Sequence, residues 1–161
     1  MPEVICNTSP LQYLHQVGCL ELLHELAGTV TVPSAVCSEL EAGLERDVEL
    51  PNVREITWIK IVDPISAPAL PLAADLGPGE SAVLALALES ERPLVVLDDG
   101  LGRRAAELLG ISLTGTLGVL ISAKKKGLIS SVAPILGNLA NLGFRVAPAT
   151  RSAVLKLAGE S

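Results

Sequence analysis

The sequence predicts an α/β fold: a three-layer sandwich with a central, mainly parallel sheet. Three observations carry this expectation. Short aliphatic and β-branched runs such as Val4-Ile5-Cys6, Thr29 to Val32 and Leu94 to Leu97 are apolar on consecutive residues, as in strands buried on both faces. Between them lie stretches with apolar residues at helical spacing, the alternation that builds a parallel sheet covered on two sides. The 161 residues, 49% hydrophobic and 19% charged, supply one sizeable core and are too apolar for intrinsic disorder. One domain over residues 1–161 is expected.

Glu3 to Asn7 reads as a buried strand running into a helix, with Ser9 as its cap and Pro10 in its first position. From Pro10 to Leu26, Leu11, Leu14, Val17, Leu22, Leu23 and Leu26 recur at helical spacing, and Gly18 divides two short helices. Gly28 ends that stretch, and Thr29 to Val32 follows as a strand. Pro33 and Ser34 open a helix on which Val36, Leu40 and Leu44 share a face. Glu41 to Pro78 is rich in proline and acid; its alternating run, Ile56 to Val62, reads as an edge strand or an irregular cover. Gly77, Pro78 and Gly79 precede a helix from Glu80 to Glu91 with almost no polar face, so it should be sandwiched inside the fold. Leu94 to Leu97 is a buried strand, Asp98-Asp99-Gly100 turns into a helix through Leu109, and Ile111 to Leu113 is a strand after Gly110. Helices over Thr116 to Lys126 and Val132 to Leu142, a last strand at Phe144 to Ala147 and a helix from Arg151 to Ala158 complete the pattern.

Composition excludes several function classes. A net charge of −6 works against a broad phosphate-tracking face, and 2% aromatics argue against a base-stacking platform. Cys6, Cys19 and Cys37 form no Cys-x-x-Cys pair and are odd in number, as in reduced, buried thiols. No apolar run reaches the roughly 18 residues of a membrane span, and Met1-Pro2-Glu3 is no basic leader; a cytoplasmic protein is expected. The phosphate loop, the dinucleotide-binding glycine turn and the nucleophile elbow are all missing. His15 and His24 share no helix face and have no partner at zinc-ligand spacing, so a structural or solvated role is expected.

Parallel α/β sheets bind ligands at the carboxyl ends of strands, where strand order reverses. Asn7 and the pair Asp98 and Asp99 sit at two such ends, and Glu39 and Glu80 border the core on helices. Carboxylates gathered in one cleft repel each other unless a cation intervenes, and magnesium or manganese is the natural choice for oxygen ligands. Each residue also has a plain structural role open to it: Asp99 as a helix cap, Asp98 as the partner of a backbone amide, Glu80 at a helix N-terminus, Asn7 or Ser9 as a cap and Glu39 as a solvated edge residue. Arg103 and Arg104 lie one turn past Asp99, where either a phosphate or solvent can be their partner. Lys124, Lys125 and Lys126 end a helix, where cations complement its dipole; contact with RNA phosphate is the alternative.

The segments Val4 to Leu11, Val32 to Leu40, Gly77 to Glu80 and Leu97 to Ala105, with Gly115 to Gly118 and Ala123 to Ile129, resemble a PIN domain in content and order over about the whole chain. The nearest likeness is to a prokaryotic PIN-like subfamily of uncharacterised proteins. The resemblance implies a magnesium- or manganese-dependent nuclease, often acting on RNA, here expected to be single-stranded, and often the toxin of a toxin–antitoxin pair. It implies catalytic positions at Asn7, Glu39, Glu80, Asp98 and Asp99, with Glu39, Glu80 and Asp99 on the metal and Arg103 or Arg104 orienting phosphate. Asn7 stands where the pattern has Asp; its amide oxygen can ligate a metal but brings no charge, which lowers metal affinity and water activation. The alternative is a PIN-like module that grips RNA or a protein without cutting. A phosphate-receiver domain fits less well, because its acidic pair should follow the first strand. The apolar residues Val132, Ile135, Leu136, Leu139 and Leu142 offer either a core face or a homodimer surface.

Overall fold

In the computed structural model, which describes residues 2–160, the chain runs β1 (Glu3–Cys6), α1 (Thr8–Gln16), α2 (Glu21–Ala27), β2 (Val30–Val32), α3 (Ser34–Glu45), β3 (Ile59–Ile61), α4 (Pro78–Leu88), β4 (Pro93–Val96), α5 (Gly100–Leu108), β5 (Ser112–Thr114), α6 (Thr116–Lys125), α7 (Ala133–Asn141) and α8 (Pro148–Leu157). Met1 and Ser161, the ends of the expected domain, lie outside the described residues. The five strands form one sheet in the order β3-β2-β1-β4-β5. Every pairing is parallel, with Val4 opposite both Val30 and Leu94, Val30 opposite Ile59 and Leu94 opposite Ser112.

The chain leaves β1 toward β2 and leaves β4 toward β5, in opposite directions across the sheet. Because parallel crossovers are right-handed, opposite directions put the connecting helices on opposite faces. Thus α1 and α2 cover one face, where α6 returns to pack on them, and α5 lies on the other beside α4, which spans β1 and β4. Side chains alternate along each strand. Val4, Leu94, Val96 and Thr114 accordingly face the α2–α6 layer, while the fully buried Ile5 and Val95 face the opposite one. Leu11, Leu14, Leu84, Leu97 and Leu120 are all buried to 1% exposure or less, each burial worth roughly 1.5–3 kcal/mol. Val83 to Ala87 of α4 are buried on every side, which is why this helix carries no polar face.

Ile59 to Ile61 is the edge strand foreshadowed by the alternating run, preceded by a 3-10 turn at Val53–Glu55. Two expectations are corrected. Phe144 to Ala147 forms no strand: Gly143, at φ +88°, reverses the chain after α7, the Phe144 N–H donates to Leu139 O at 3.0 Å, and its ring packs edge-on against Tyr13 at 4.9 Å. Its apolar residues close a helix end and so have no sheet edge to join. Ser9 is no cap either, since α1 already begins at Thr8 and Ser9 lies within its first turn.

At the far end of the chain, the Glu160 carboxylate accepts the N–H groups of Val132 (2.7 Å) and Ala133 (3.0 Å), the Ser131 hydroxyl (2.9 Å) and the Lys124 ammonium (3.1 Å). Those bonds, the one from Val132 foremost, lower its pKa from the usual 4.5 to about 2. Lys124 is therefore half of a clasp between α6 and the N-terminus of α7. Val132, Leu136 and Leu139 point into the core, leaving Leu142 as the exposed member of the apolar set. Among the described residues, no helix is long and apolar enough to cross a membrane.

Candidate functional site

The strand order reverses between β1 and β4, and the first polar residues beyond these two strands are Asn7 and, after Leu97, Asp98-Asp99. Above the reversal opens a cleft of about 500 Å³ walled by Asn7, Glu39, Glu80, Asp98 and Asp99, with Thr8, Ser9 and Gln12 from the start of α1. All five positions expected at the cleft are thus brought to it, from four separate stretches of sequence.

Asn7 is held by its backbone, whose N–H donates to Val96 O at 3.0 Å and zips the tip of β1 to β4. It occupies the position before α1 yet makes no side-chain cap bond. The side chain is 2% exposed, and Oδ1 is buried with no hydrogen-bond partner among the described residues. A buried acceptor of this kind can take a donor or a cation. Glu39, half-buried on α3, accepts the Thr8 hydroxyl on Oε1 and the Gly79 N–H on Oε2 at 3.2 Å. Gly79 belongs there because a side chain would not fit: a Cβ would collide with Glu39 Oε1 and meet Asn7 Oδ1 and the carboxyl carbon of Glu39 at 3.0 Å each.

Glu80 stands in the first turn of α4, where the helix dipole favours an anion, and folds back toward Gly77. It makes no hydrogen bond among the described residues. Asp98 is tied more tightly, accepting from Thr116 N–H (2.8 Å), the Thr116 hydroxyl (2.7 Å) and Ser9 (3.1 Å). It joins the end of β4 to the starts of α1 and α6. Asp99 caps α5 through the Gly102 N–H at 2.8 Å and is otherwise exposed. The structural roles open to Asp98 and Asp99 in the sequence are therefore occupied, while Asn7 does not cap.

Every donor around the cleft is oxygen, the choice of a hard divalent cation. Among the described residues, no three acids, histidines or cysteines stand close enough together to hold an ion by themselves. Magnesium, however, typically binds through one or two carboxylates and completes its shell with water and substrate phosphate. The orphaned Asn7 oxygen beside the Glu39 carboxylate fits that requirement.

The two arginines part company. Arg103 turns away from the acidic cleft, donating from Nη1 to Leu97 O at 2.9 Å, and lines an adjoining hollow. Arg104 is exposed and lines neither space. His15 pairs with Glu49 at 3.0 Å; His24 meets Gly28 O at 2.7 Å and stacks on Trp58. Neither approaches the cleft. In the sequence Ser9 reads only as a cap, and Thr8 and Gln12 of the cleft, like Arg145 and Thr150 of the adjoining hollow, carry no motif. Only the polar Asn-Thr-Ser start of α1 carried any signal, since its hydroxyls sit directly after a strand end.

A family model described as PIN domain matches residues 3–160, nearly the whole chain. No curated protein and no solved structure matches it at a significant level.

Proposed function

The chain belongs to the PIN domain family, whose members are generally nucleases that typically use divalent metals, and from that premise we propose that it is a metal-dependent endoribonuclease cutting single-stranded RNA. The observation that carries this reading is the buried, unpartnered Asn7 Oδ1 in a cleft that it shares with four carboxylates. In this proposal Glu39 and the neutral Asn7 oxygen would hold magnesium or manganese directly, and Glu80 and Asp99, on the same cleft, would engage it through its water shell. When bound, such an ion supplies a hydroxide nucleophile and stabilises the leaving oxygen of a phosphodiester. The Gly79 N–H and Thr8 hydroxyl fix the Glu39 carboxylate, and Asp98 positions the start of α6 against the cleft. Of the two arginines expected to orient phosphate, Arg103 keeps that role in the proposal and Arg104 does not. On this reading the protein works in the cytoplasm, as the toxin of a toxin–antitoxin pair and as a homodimer; coexpression with the neighbouring reading frame and sedimentation of the purified chain test those two partners.

Purified protein should cleave single-stranded RNA with manganese or magnesium and not with EDTA, and Asp99→Asn, which keeps a good capping residue, should abolish cleavage. Cleavage that survives both EDTA and Asp99→Asn would refute the proposal.

One observation favours a second reading, a PIN-like module that binds without cutting. Glu39 and Asp98 already have protein donors on both carboxylate oxygens, and Asn7 adds no charge to the site. Asn7→Asp separates the two: cleavage appearing only in that variant would assign the natural chain to binding.

A further inference from the structure

Behind Asp98, which forms the shared wall, a second hollow of about 380 Å³ adjoins the acidic cleft. Its chemistry is opposite to that of its neighbour. Arg103 enters from α5 and Arg145 from the segment after α7, and neither joins an ion pair among the described residues. Two unpaired guanidinium groups in one hollow stand out in a chain with 12 basic and 18 acidic residues. The single bond from Arg103 Nη1 to Leu97 O leaves most of its five donors free. Thr150 adds a hydroxyl from the first turn of α8, a helix with no side-chain cap. Phe144 and Leu117 supply the apolar part of its lining. The volume lies within the roughly 300–1,000 Å³ of small-ligand sites.

Paired guanidiniums recognise an oxyanion, phosphate in particular through their fork of N–H groups. An apolar wall carrying an aromatic ring beside them suits a flat base. A carboxylate-bearing peptide would satisfy the arginines but leave that wall without purpose. We propose that this hollow is a nucleotide subsite, taking one phosphate and its base of a single-stranded RNA that lies across the acidic cleft. The proposal rests on the ribonuclease reading of that cleft and assigns its polarity: the scissile bond sits on the carboxylate side of Asp98 and the neighbouring nucleotide on the arginine side.

The test is binding of a short fluorescein-labelled oligouridylate to the full chain in EDTA, by anisotropy over a series of potassium chloride concentrations. Arg145 is exposed and makes no hydrogen bond among the described residues, so Arg145→Ala should fold normally. It should weaken binding about 3- to 10-fold and flatten the log affinity against log salt slope by about 0.7, one single-strand phosphate contact. Arg151→Ala, an exposed arginine on α8 outside the hollow, should change neither quantity. In manganese, Arg145→Ala should raise KM. Cleavage with wild-type affinity, slope and KM in Arg145→Ala would overturn the subsite and leave the ribonuclease reading intact. Arg145-dependent RNA binding with no cleavage would support the subsite and overturn the ribonuclease. Absence of RNA affinity in the natural chain, or Arg145-dependent affinity for an acidic peptide alone, would also overturn the subsite.

Discussion

Replacing Gly79 with alanine probes the site through one methyl group. The new Cβ would press first on Glu39 Oε1, its nearest neighbour, and stand 3.0 Å from the Glu39 carboxyl carbon and 3.0 Å from Asn7 Oδ1. Non-bonded carbons settle at about 3.5–4.0 Å, so the Glu39 carboxylate must retreat by roughly 0.5–1 Å. That retreat also stretches the bond it accepts from the Gly79 N–H, already 3.2 Å long. A misplacement of about 1 Å in a reacting constellation costs on the order of a hundredfold in rate. Stability should barely move: alanine is better than glycine inside a helix by about 0.5–1 kcal/mol, and the weakened hydrogen bond gives back about as much. Initial rates of single-stranded RNA cleavage in manganese, paired with thermal melts, separate the two effects. The expected result is a melting temperature within a few degrees of the natural chain and cleavage reduced about a hundredfold. Wild-type cleavage in Gly79→Ala would refute the argument that Glu39 is held in register for chemistry by this close approach.

Further outcomes follow from other parts of the molecule. Because the folded Glu160 carboxyl titrates at about 2 rather than 4.5, its stabilisation is complete above the unfolded value and is lost as pH falls from about 4.5 through 2. The melting temperature of Glu160→Gln should therefore fall below that of the natural chain at pH 7, and the gap should close as the medium is acidified; a gap independent of pH would contradict the clasp. Leu120→Ala empties a fully buried position on α6 and should cost about 2–5 kcal/mol, read as a lower urea midpoint at unchanged slope. Burial raises the pKa of all three thiols, for Cys6 well above the usual value with help from the Asp98 charge, so a disulfide reagent should modify half-exposed Cys19 first and reach Cys6 and Cys37 only on unfolding.

Much of this was legible in the sequence because it is local. Strand ends followed by polar residues, a proline at the start of α4 and an acid at the start of α5 each leave a mark within a few residues, so the order of elements and the five cleft positions could be read. Phe144 to Ala147 was misread because an apolar run after a glycine has the same composition whether it closes a helix or joins a sheet; only the loop's packing on Tyr13 decides. The sequence likewise placed Asn7 at a helix start, where a cap is the ordinary expectation; that its buried oxygen instead lies beside Gly79, some seventy residues away, is settled only by tertiary packing. Arg145 gave no signal, since its meeting with Arg103 is made by the return of the chain after α7. Glu160 is the same case, its four donors lying on segments distant in sequence.

The central pairing of the sheet carries a kinetic consequence. β1 and β4 lie about ninety residues apart, Glu3 opposite Pro93, and they frame the cleft between them. Closing so large a loop must be met in entropy before any contact within it repays the cost, so pairings of this separation form slowly. The helices can form early from local contacts, but Asn7 and Asp98 become neighbours only when the two halves of the sheet meet. A chain arrested midway would hold each cleft residue in nearly correct local structure and still have no cleft. Appearance of function during refolding should then lag behind the recovery of helical signal, making the cleft one of the last things this polypeptide builds.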